Sequence, residues 1–94
     1  MLDRSEFLLA TLQLAAAAEL LAKAGPEDLQ IDALQMLALF RKHEYLSRDS
    51  SAVATNDDEL FARTGQAALT MAGRNEFAAS HALLRQARSL LPSI

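Results

Sequence analysis

Residues 7–24, FLLATLQLAAAAELLAKA, decide the fold class of this chain. Ala and Leu dominate the segment, and both favour helices because they lose little side-chain entropy there. Its polar side chains are Thr11, Gln13, Glu19 and Lys23. The apolar sector of the predicted helix is therefore wider than one core contact needs, so we expect this helix to be buried or covered by a partner.

The whole chain has the same helical composition. It contains 19 Ala and 18 Leu but only one Val and two Ile, so the β-branched aliphatics that favour sheets are nearly absent. Ninety-four residues suit one domain. We therefore predict a single all-α domain over residues 1–94.

Capping and turn residues divide the chain into four predicted helices. Asp3 followed by Glu6 has the spacing of a capping box, and Gly25-Pro26 ends one helix and starts the next with Pro as the first helical residue. Residues 47–56 read as a loop. The short connections predict a four-helix antiparallel array of hairpins over residues 4–24, 26–46, 57–73 and 75–91.

Three further capping residues are predicted in the second half of the chain. Asn56, three residues before Glu59, is expected to begin the third helix. Gly73 is expected to end that helix in a left-handed conformation. Asn75 is then the expected N-cap of the fourth helix, which Pro92 ends.

The absence of cysteine excludes disulfides, thiol nucleophiles and Cys-based zinc sites, and it favours a reducing compartment. No segment reaches the ~20 uninterrupted apolar residues of a membrane span. The N-terminus lacks the charge layout of a signal peptide. We expect a cytoplasmic protein that does not bind membranes.

The two histidines give little sign of catalysis. His43-Glu44 begins like a zinc-protease helix motif, but Ser47 stands where the second His is required. The neighbours of His81 at the helical spacing are Phe77 and Arg85, which are not metal ligands. We expect solvent-exposed histidines, no enzyme activity and no cofactor, and keep a ligand or metal site at His43 and Glu44 as a secondary alternative.

Charge is distributed unevenly. Residues 1–59 carry 11 acids and five bases, whereas residues 60–94 carry one acid and four arginines. An ordinary solvated surface explains this, and so does an Arg face for an acidic partner; both interpretations stay open. The candidate contacts are Arg63, Arg74, Arg85 and Arg88. The net charge of −3 argues against nucleic-acid binding.

The first two helices carry the predicted binding surface, because four helices can hardly enclose two of their own number. The candidate partner-binding residues are Phe7, Leu14, Ala17, Leu21, Leu29, Leu37 and Phe40. The expected partner is an amphipathic helix of another protein or a second copy of this chain. The leading hypothesis is a chaperone-like or adaptor-like interaction module, and the alternative is a structural homo-oligomer.

Residues 75–92, NEFAASHALLRQARSLLP, resemble the second helix of a tetratricopeptide repeat. Phe77 stands at the aromatic position of that pattern, Ser80 and Ala87 at small positions, Leu84 at a large apolar position and Pro92 at the stop. The preceding helix matches poorly, although Ala68 fits a small position. The resemblance implies a degenerate tetratricopeptide-like helical hairpin over residues 57–92.

Such hairpins occur in small bacterial type III secretion chaperones. The resemblance implies a concave apolar face that holds an amphipathic helix which would otherwise polymerise. The broad apolar sectors of the first two helices would suit that function.

Overall fold

The computed structural model describes residues 1–92 as four helices packed around one core. The helices are α1 (Arg4–Ala24), α2 (Glu27–Leu46), α3 (Asp58–Gly73) and α4 (Phe77–Leu90). Two short strands, β1 (Leu2–Asp3) and β2 (Ala52–Val53), pair antiparallel, with Leu2 opposite Val53. The predicted all-α class and the four-helix array are confirmed.

The start of α1 follows the capping-box prediction. The Asp3 carboxylate accepts a hydrogen bond from the Glu6 backbone N–H at 2.8 Å, and the Asp3 backbone N–H donates to Glu6 Oε1 at 3.4 Å. These reciprocal bonds satisfy N–H groups that have no partner inside the helix. At the other end Gly25 follows α1, where a Cβ would lie 2.6 Å from the Leu21 carbonyl oxygen, so only glycine fits this tight exit.

Two predicted helix starts are shifted by one residue. Pro26 is the N-cap of α2 instead of its first helical residue. Asp57, not Asn56, caps α3, because its carboxylate accepts from the Leu60 N–H at 3.1 Å.

The turn between α3 and α4 also differs from the prediction. Gly73 remains helical, and Asn75 takes the left-handed conformation with φ 61°. The Glu76 N–H donates to the Met71 carbonyl and the Asn75 N–H to the Ala72 carbonyl, which is the Schellman pattern. Asn75 therefore belongs to the C-terminal cap of α3 and is not the N-cap of α4. Glu76 is the residue that directly precedes α4.

The connection between α2 and α3 is a loop tied to both ends of the chain. The Arg4 N–H donates to the Ser51 carbonyl, and the Asn56 N–H donates to the Leu90 carbonyl at 2.9 Å. Asp58 accepts hydrogen bonds from the Thr55 N–H and hydroxyl. The prediction of a loop missed β2. Two residues are too few to show the alternation typical of a strand, and this strand forms only by pairing with β1.

The central helix is α1, which packs against α2 on one flank and α3 on the other. The fourth helix packs mainly on α3 and makes smaller contacts with α1 and α2. Phe7 of α1 stacks on Phe61 of α3 with ring centroids 5.5 Å apart. Because both rings are fully buried, this pair anchors the α1–α3 contact.

Helices α1 and α3 approach each other closely at a glycine. A Cβ on Gly65 would lie 3.1 Å from the Ala10 carbonyl oxygen, a backbone atom that cannot rotate away. By contrast, a Cβ on Gly73 would meet nothing within 4 Å. An added methyl group would therefore press on the α1 backbone at Gly65 but would meet no neighbour at Gly73.

Substituting these two glycines tests the close approach. We expect Gly73→Ala to raise the free energy of unfolding by about 0.5–1 kcal/mol, because alanine restricts the unfolded chain and favours the helix. Gly65→Ala should lower that free energy by ~1–2 kcal/mol, because α1 and α3 must separate. Urea unfolding followed by circular dichroism measures both, and equal stabilisation by the two substitutions would contradict the packing.

By length and composition alone, α1 is long and apolar enough to cross a membrane. This finding corrects the expectation that no segment qualifies. A core helix meets the same criteria, and in this structure the side of α1 that carries Phe7, Leu14 and Leu21 is buried against the other helices. The opposite side of α1 is the subject of the next section.

Candidate functional site

The predicted partner-binding residues lie mostly inside the chain's own core. The buried ones are Phe7, Leu14, Ala17, Leu21, Leu37 and Phe40, and Leu29 is half-buried. These side chains recur at the spacing of one helix side, and that side faces the other helices. Since a buried side chain is unavailable to a partner, the prediction chose the wrong side of α1 and α2.

A different set of large apolar side chains reaches solvent. Leu9 (61% exposed), Leu12 (59%) and Leu20 (38%) lie on α1. On α2, the corresponding residues are Ile31 (72%), Leu34 (54%) and Tyr45 (68%). We call these six residues the α1–α2 face.

A cross-helix ion pair places one exposed leucine of each helix, Leu12 and Leu34, on the same side of the molecule. Arg41 Nη2 of α2 lies 3.6 Å from Glu19 Oε2 of α1. Leu12 precedes Glu19 by seven residues and Leu34 precedes Arg41 by seven, so each lies two turns away on the same side of its helix. The ion pair and both leucines therefore border the same seam between α1 and α2.

The charges beside this seam are already paired within the chain. Glu19 also accepts from Lys23 Nζ at 2.7 Å. The hydrogen bond and positive charge of Lys23, followed by the charge of Arg41, lower the pKa of the Glu19 carboxyl below its usual value. The face therefore offers a partner mainly apolar contact.

A shallow groove of about 240 Å³ continues the face toward α3. Leu9, Ala10 and Ala62 supply its apolar surface. Its polar lining consists of Glu6, Gln13, Arg63 and Gln66. Because α1 and α3 meet at Gly65 and Ala10, small residues form this seam and leave the depression above it.

The four candidate arginines do not form one surface. Arg63 borders the α1–α3 groove and is paired with Glu59 at 2.5 Å. Arg74 is the C-cap residue of α3. Arg85 and Arg88 lie together on α4, where both border a shallow depression with Gln86 and Ser89. The structure thus brings together only two of the four.

Asp32 of α2 links to α4 through a histidine and an arginine. His81 Nε2 lies 2.6 Å from Asp32 Oδ2, and Arg88 Nη1 lies 3.6 Å from Asp32 Oδ1. The hydrogen bond from His81, with the charges of Arg88 and Arg85, lowers the pKa of the Asp32 carboxyl. Half-buried His81 is therefore a structural contact, contrary to the prediction of solvent exposure.

His43 is buried, which also contradicts the predicted exposure. Burial, with a smaller contribution from the charge of Lys42, lowers the pKa of its imidazole below 6.5. The neighbouring Glu44 pairs with Arg48 at 3.8 Å. Among residues 1–92, no group of three His, Asp or Glu side chains is arranged to hold a metal ion.

Buried His43 predicts a pH dependence of stability. Its pKa in the folded chain is below the unfolded value of 6.5, so the unfolded chain binds more protons as the pH falls through that value. We expect the free energy of unfolding to decline as the pH falls below about 6.5, because burial disfavours the charged imidazole.

Urea unfolding at pH 7.5, 6.5 and 5.5 measures this dependence in the wild type and in His43→Leu, which cannot titrate at this position. The decline should be smaller in His43→Leu. Equal declines in the two proteins would show that other groups cause it.

Comparison with known proteins gave no relationship for this chain: no family model, no curated protein and no solved structure matches it. The geometry described above is therefore the basis for the functional proposal.

Proposed function

We propose that this chain is a helical protein–protein interaction module, chaperone-like or adaptor-like, which binds an apolar helix on its α1–α2 face. The observation that carries the proposal is the exposure of large apolar side chains on two adjacent helices, with Leu12 and Leu34 beside their common seam. Contiguous apolar patches on the surface of a monomer are often binding sites.

The size of the face supports this function. Complete burial of one Leu or Ile side chain stabilises a protein by about 3 kcal/mol. At ~25 cal/mol per Å², this corresponds to roughly 120 Å² of apolar surface. At their exposed fractions, the aliphatic side chains leave roughly 340 Å² open to solvent. These are Leu9, Leu12, Leu20, Ile31 and Leu34. This area equals that of the largest apolar patch on a typical monomer, about 300–600 Å², which is often functional.

The chemistry of the face defines its partner. Leu9 and Leu12 are separated by one helical turn, and Ile31 and Leu34 repeat that spacing on α2. Side chains at this spacing form ridges against which the apolar stripe of another helix can pack. Because Glu19 already pairs with Lys23 and Arg41, the partner needs no matching charge at that point.

A narrower proposal concerns the tetratricopeptide resemblance. In its favour, α3 and α4 form a tight hairpin in which Ala68, Ser80, Leu84 and Ala87 are buried at the small and large positions of the pattern. The Ser80 hydroxyl donates to the Ala68 carbonyl at 2.8 Å. On this ground we keep a type III secretion co-chaperone as the specific form of the proposed module, acting in the cytoplasm.

Charge placed on the face tests the proposed function. A tagged chain is incubated with native lysate, and the retained proteins, including an untagged copy of the chain, are identified by mass spectrometry. We expect Leu34→Arg to remove a specific partner, because the arginine would have to be desolvated in an apolar contact.

Ala79→Arg is the matched control, because Ala79 is exposed on α4 and the substitution adds the same charge away from the face. The control should retain the partner. Retention of the same proteins by the wild type and by Leu34→Arg would contradict a binding role for the face.

A further inference from the structure

We infer that Arg85 and Arg88 of α4 form a contact site for an acidic segment of a partner protein, whose Asp or Glu carboxylates they bind. This site goes beyond the proposed function, because it lies on α4 and does not involve the α1–α2 face. Its support is an excess of positive charge on one helix of a chain that is acidic as a whole.

Helix α4 carries bases and no acid. Over Phe77–Leu90 it has two arginines and a histidine but neither Asp nor Glu, although the net charge of the chain is −3. Arg85 and Arg88 are three positions apart, so they project from the same side of the helix. Both border a shallow depression of about 450 Å³, whose lining includes the small side chains of Ala82 and Ser89. The depression gives an acidic side chain access to both guanidinium groups.

Asp32 of α2 is the carboxylate that reaches these bases, and it neutralises only part of their charge. Its Oδ2 lies 2.6 Å from His81 Nε2, and its Oδ1 lies 3.6 Å from Arg88 Nη1. Within residues 1–92, Arg85 is exposed and makes no ion pair. Since the Arg88 side chain is also 40% exposed, both guanidinium groups can donate to a second carboxylate.

The neighbouring part of α2 adds no further acid beside the arginine pair. Helices α2 and α4 run in the same direction, since each is the second helix of an antiparallel hairpin and the first helices, α1 and α3, are parallel. Beyond Asp32, α2 contains no acid before Glu44, which pairs with Arg48 at 3.8 Å. Asp28 lies one turn before Asp32, in the direction away from Arg88. The positive charge of the pair therefore stays largely uncompensated.

The other two arginines in the second half of the chain lack this arrangement. Arg63 is paired with Glu59 on its own helix. Arg74 caps the end of α3, and more than two turns of α4 separate Phe77, at the start of that helix, from Arg85. Each carries the same charge as Arg85 without a neighbouring arginine on its side of the helix. They are therefore internal references for an experiment.

A protein carboxylate suits the site better than a nucleic acid does. Nucleic acids are bound by many phosphate contacts at once, whereas this site offers two arginines. Its lining contains no aromatic side chain on which a base could stack. The net charge of −3 also repels a long polyanion. A short acidic segment meets only the local positive charge.

Titration with a capped oligoglutamate peptide, followed by NMR of the full ¹⁵N-labelled chain, tests the site. The side-chain Nε–Hε resonances of Arg85 and Arg88 should shift as the peptide is added. Those of Arg63 and Arg74 should shift less, because neither belongs to an arginine pair. A capped oligoglutamine peptide is the uncharged control and should shift none of them.

Two substitutions that each remove one positive charge locate the contact. Arg85→Gln should weaken binding of the oligoglutamate peptide by about threefold, the size expected for the loss of one exposed ion pair. Arg74→Gln should leave the affinity unchanged. Because Arg85 is exposed and makes no ion pair within residues 1–92, Arg85→Gln should keep the helical circular dichroism signal of the wild type.

The remaining outcomes overturn the inference. Equal shifts of all four arginines, or equal weakening by Arg85→Gln and Arg74→Gln, would show unspecific attraction between charges. Absence of any shift at Arg85 and Arg88 up to about 10 mM peptide would show that the pair does not bind carboxylates. Tighter binding of a single-stranded DNA oligomer than of oligoglutamate would assign the pair to nucleic acid. None of these results bears on the α1–α2 face, which Leu34→Arg tests separately.

Discussion

The packing of α1 is the constraint on which the rest of this structure depends. This helix carries large apolar side chains on both sides, but α2, α3 and α4 cover only the side that bears Phe7, Leu14 and Leu21. Its other side, with Leu9 and Leu12, remains in water. Because more than half of each of these leucines is exposed, they stabilise the single chain less than buried leucines do, and a partner could still cover them.

The covered side of α1 is held by close contacts and satisfied polar groups. Gly65 allows the α3 backbone to reach Ala10, and the stacked rings of Phe7 and Phe61 fill the space beside that contact. Buried Thr11 donates its hydroxyl to the Phe7 carbonyl at 3.0 Å. Within residues 1–92, no buried side-chain nitrogen or oxygen lacks a partner. Such a core has no need of further contacts, so the exposed leucines are available to a partner without unfolding the chain.

The sequence predicts the secondary structure well because its signals are local. The Asp3–Glu6 capping box, the Gly25–Pro26 break and the scarcity of β-branched residues each act within a few positions. The β1–β2 pair could not be predicted, since it depends on bringing Leu2 next to Val53 across the fold. The left-handed Asn75 was likewise missed because glycine is the commoner residue at such a cap.

The candidate site was only partly predictable, for a physical reason. The sequence indicates that α1 and α2 have excess apolar surface, but periodicity cannot tell a buried leucine side from an exposed one when both sides carry leucine. Leu14 and Leu12 have the same chemistry, and only the positions of the other helices distinguish them. The burial of His43 depends on the same tertiary placement.

The most direct test of the account is side-chain footprinting by hydroxyl radicals, comparing the dilute purified chain with the chain at its native concentration in lysate. If the α1–α2 face is covered by a partner helix, Leu9, Leu12 and Leu34 will lose reactivity in lysate, while exposed residues of α4 will not. Equal reactivity of these leucines under both conditions would contradict the claim that the face is a binding surface.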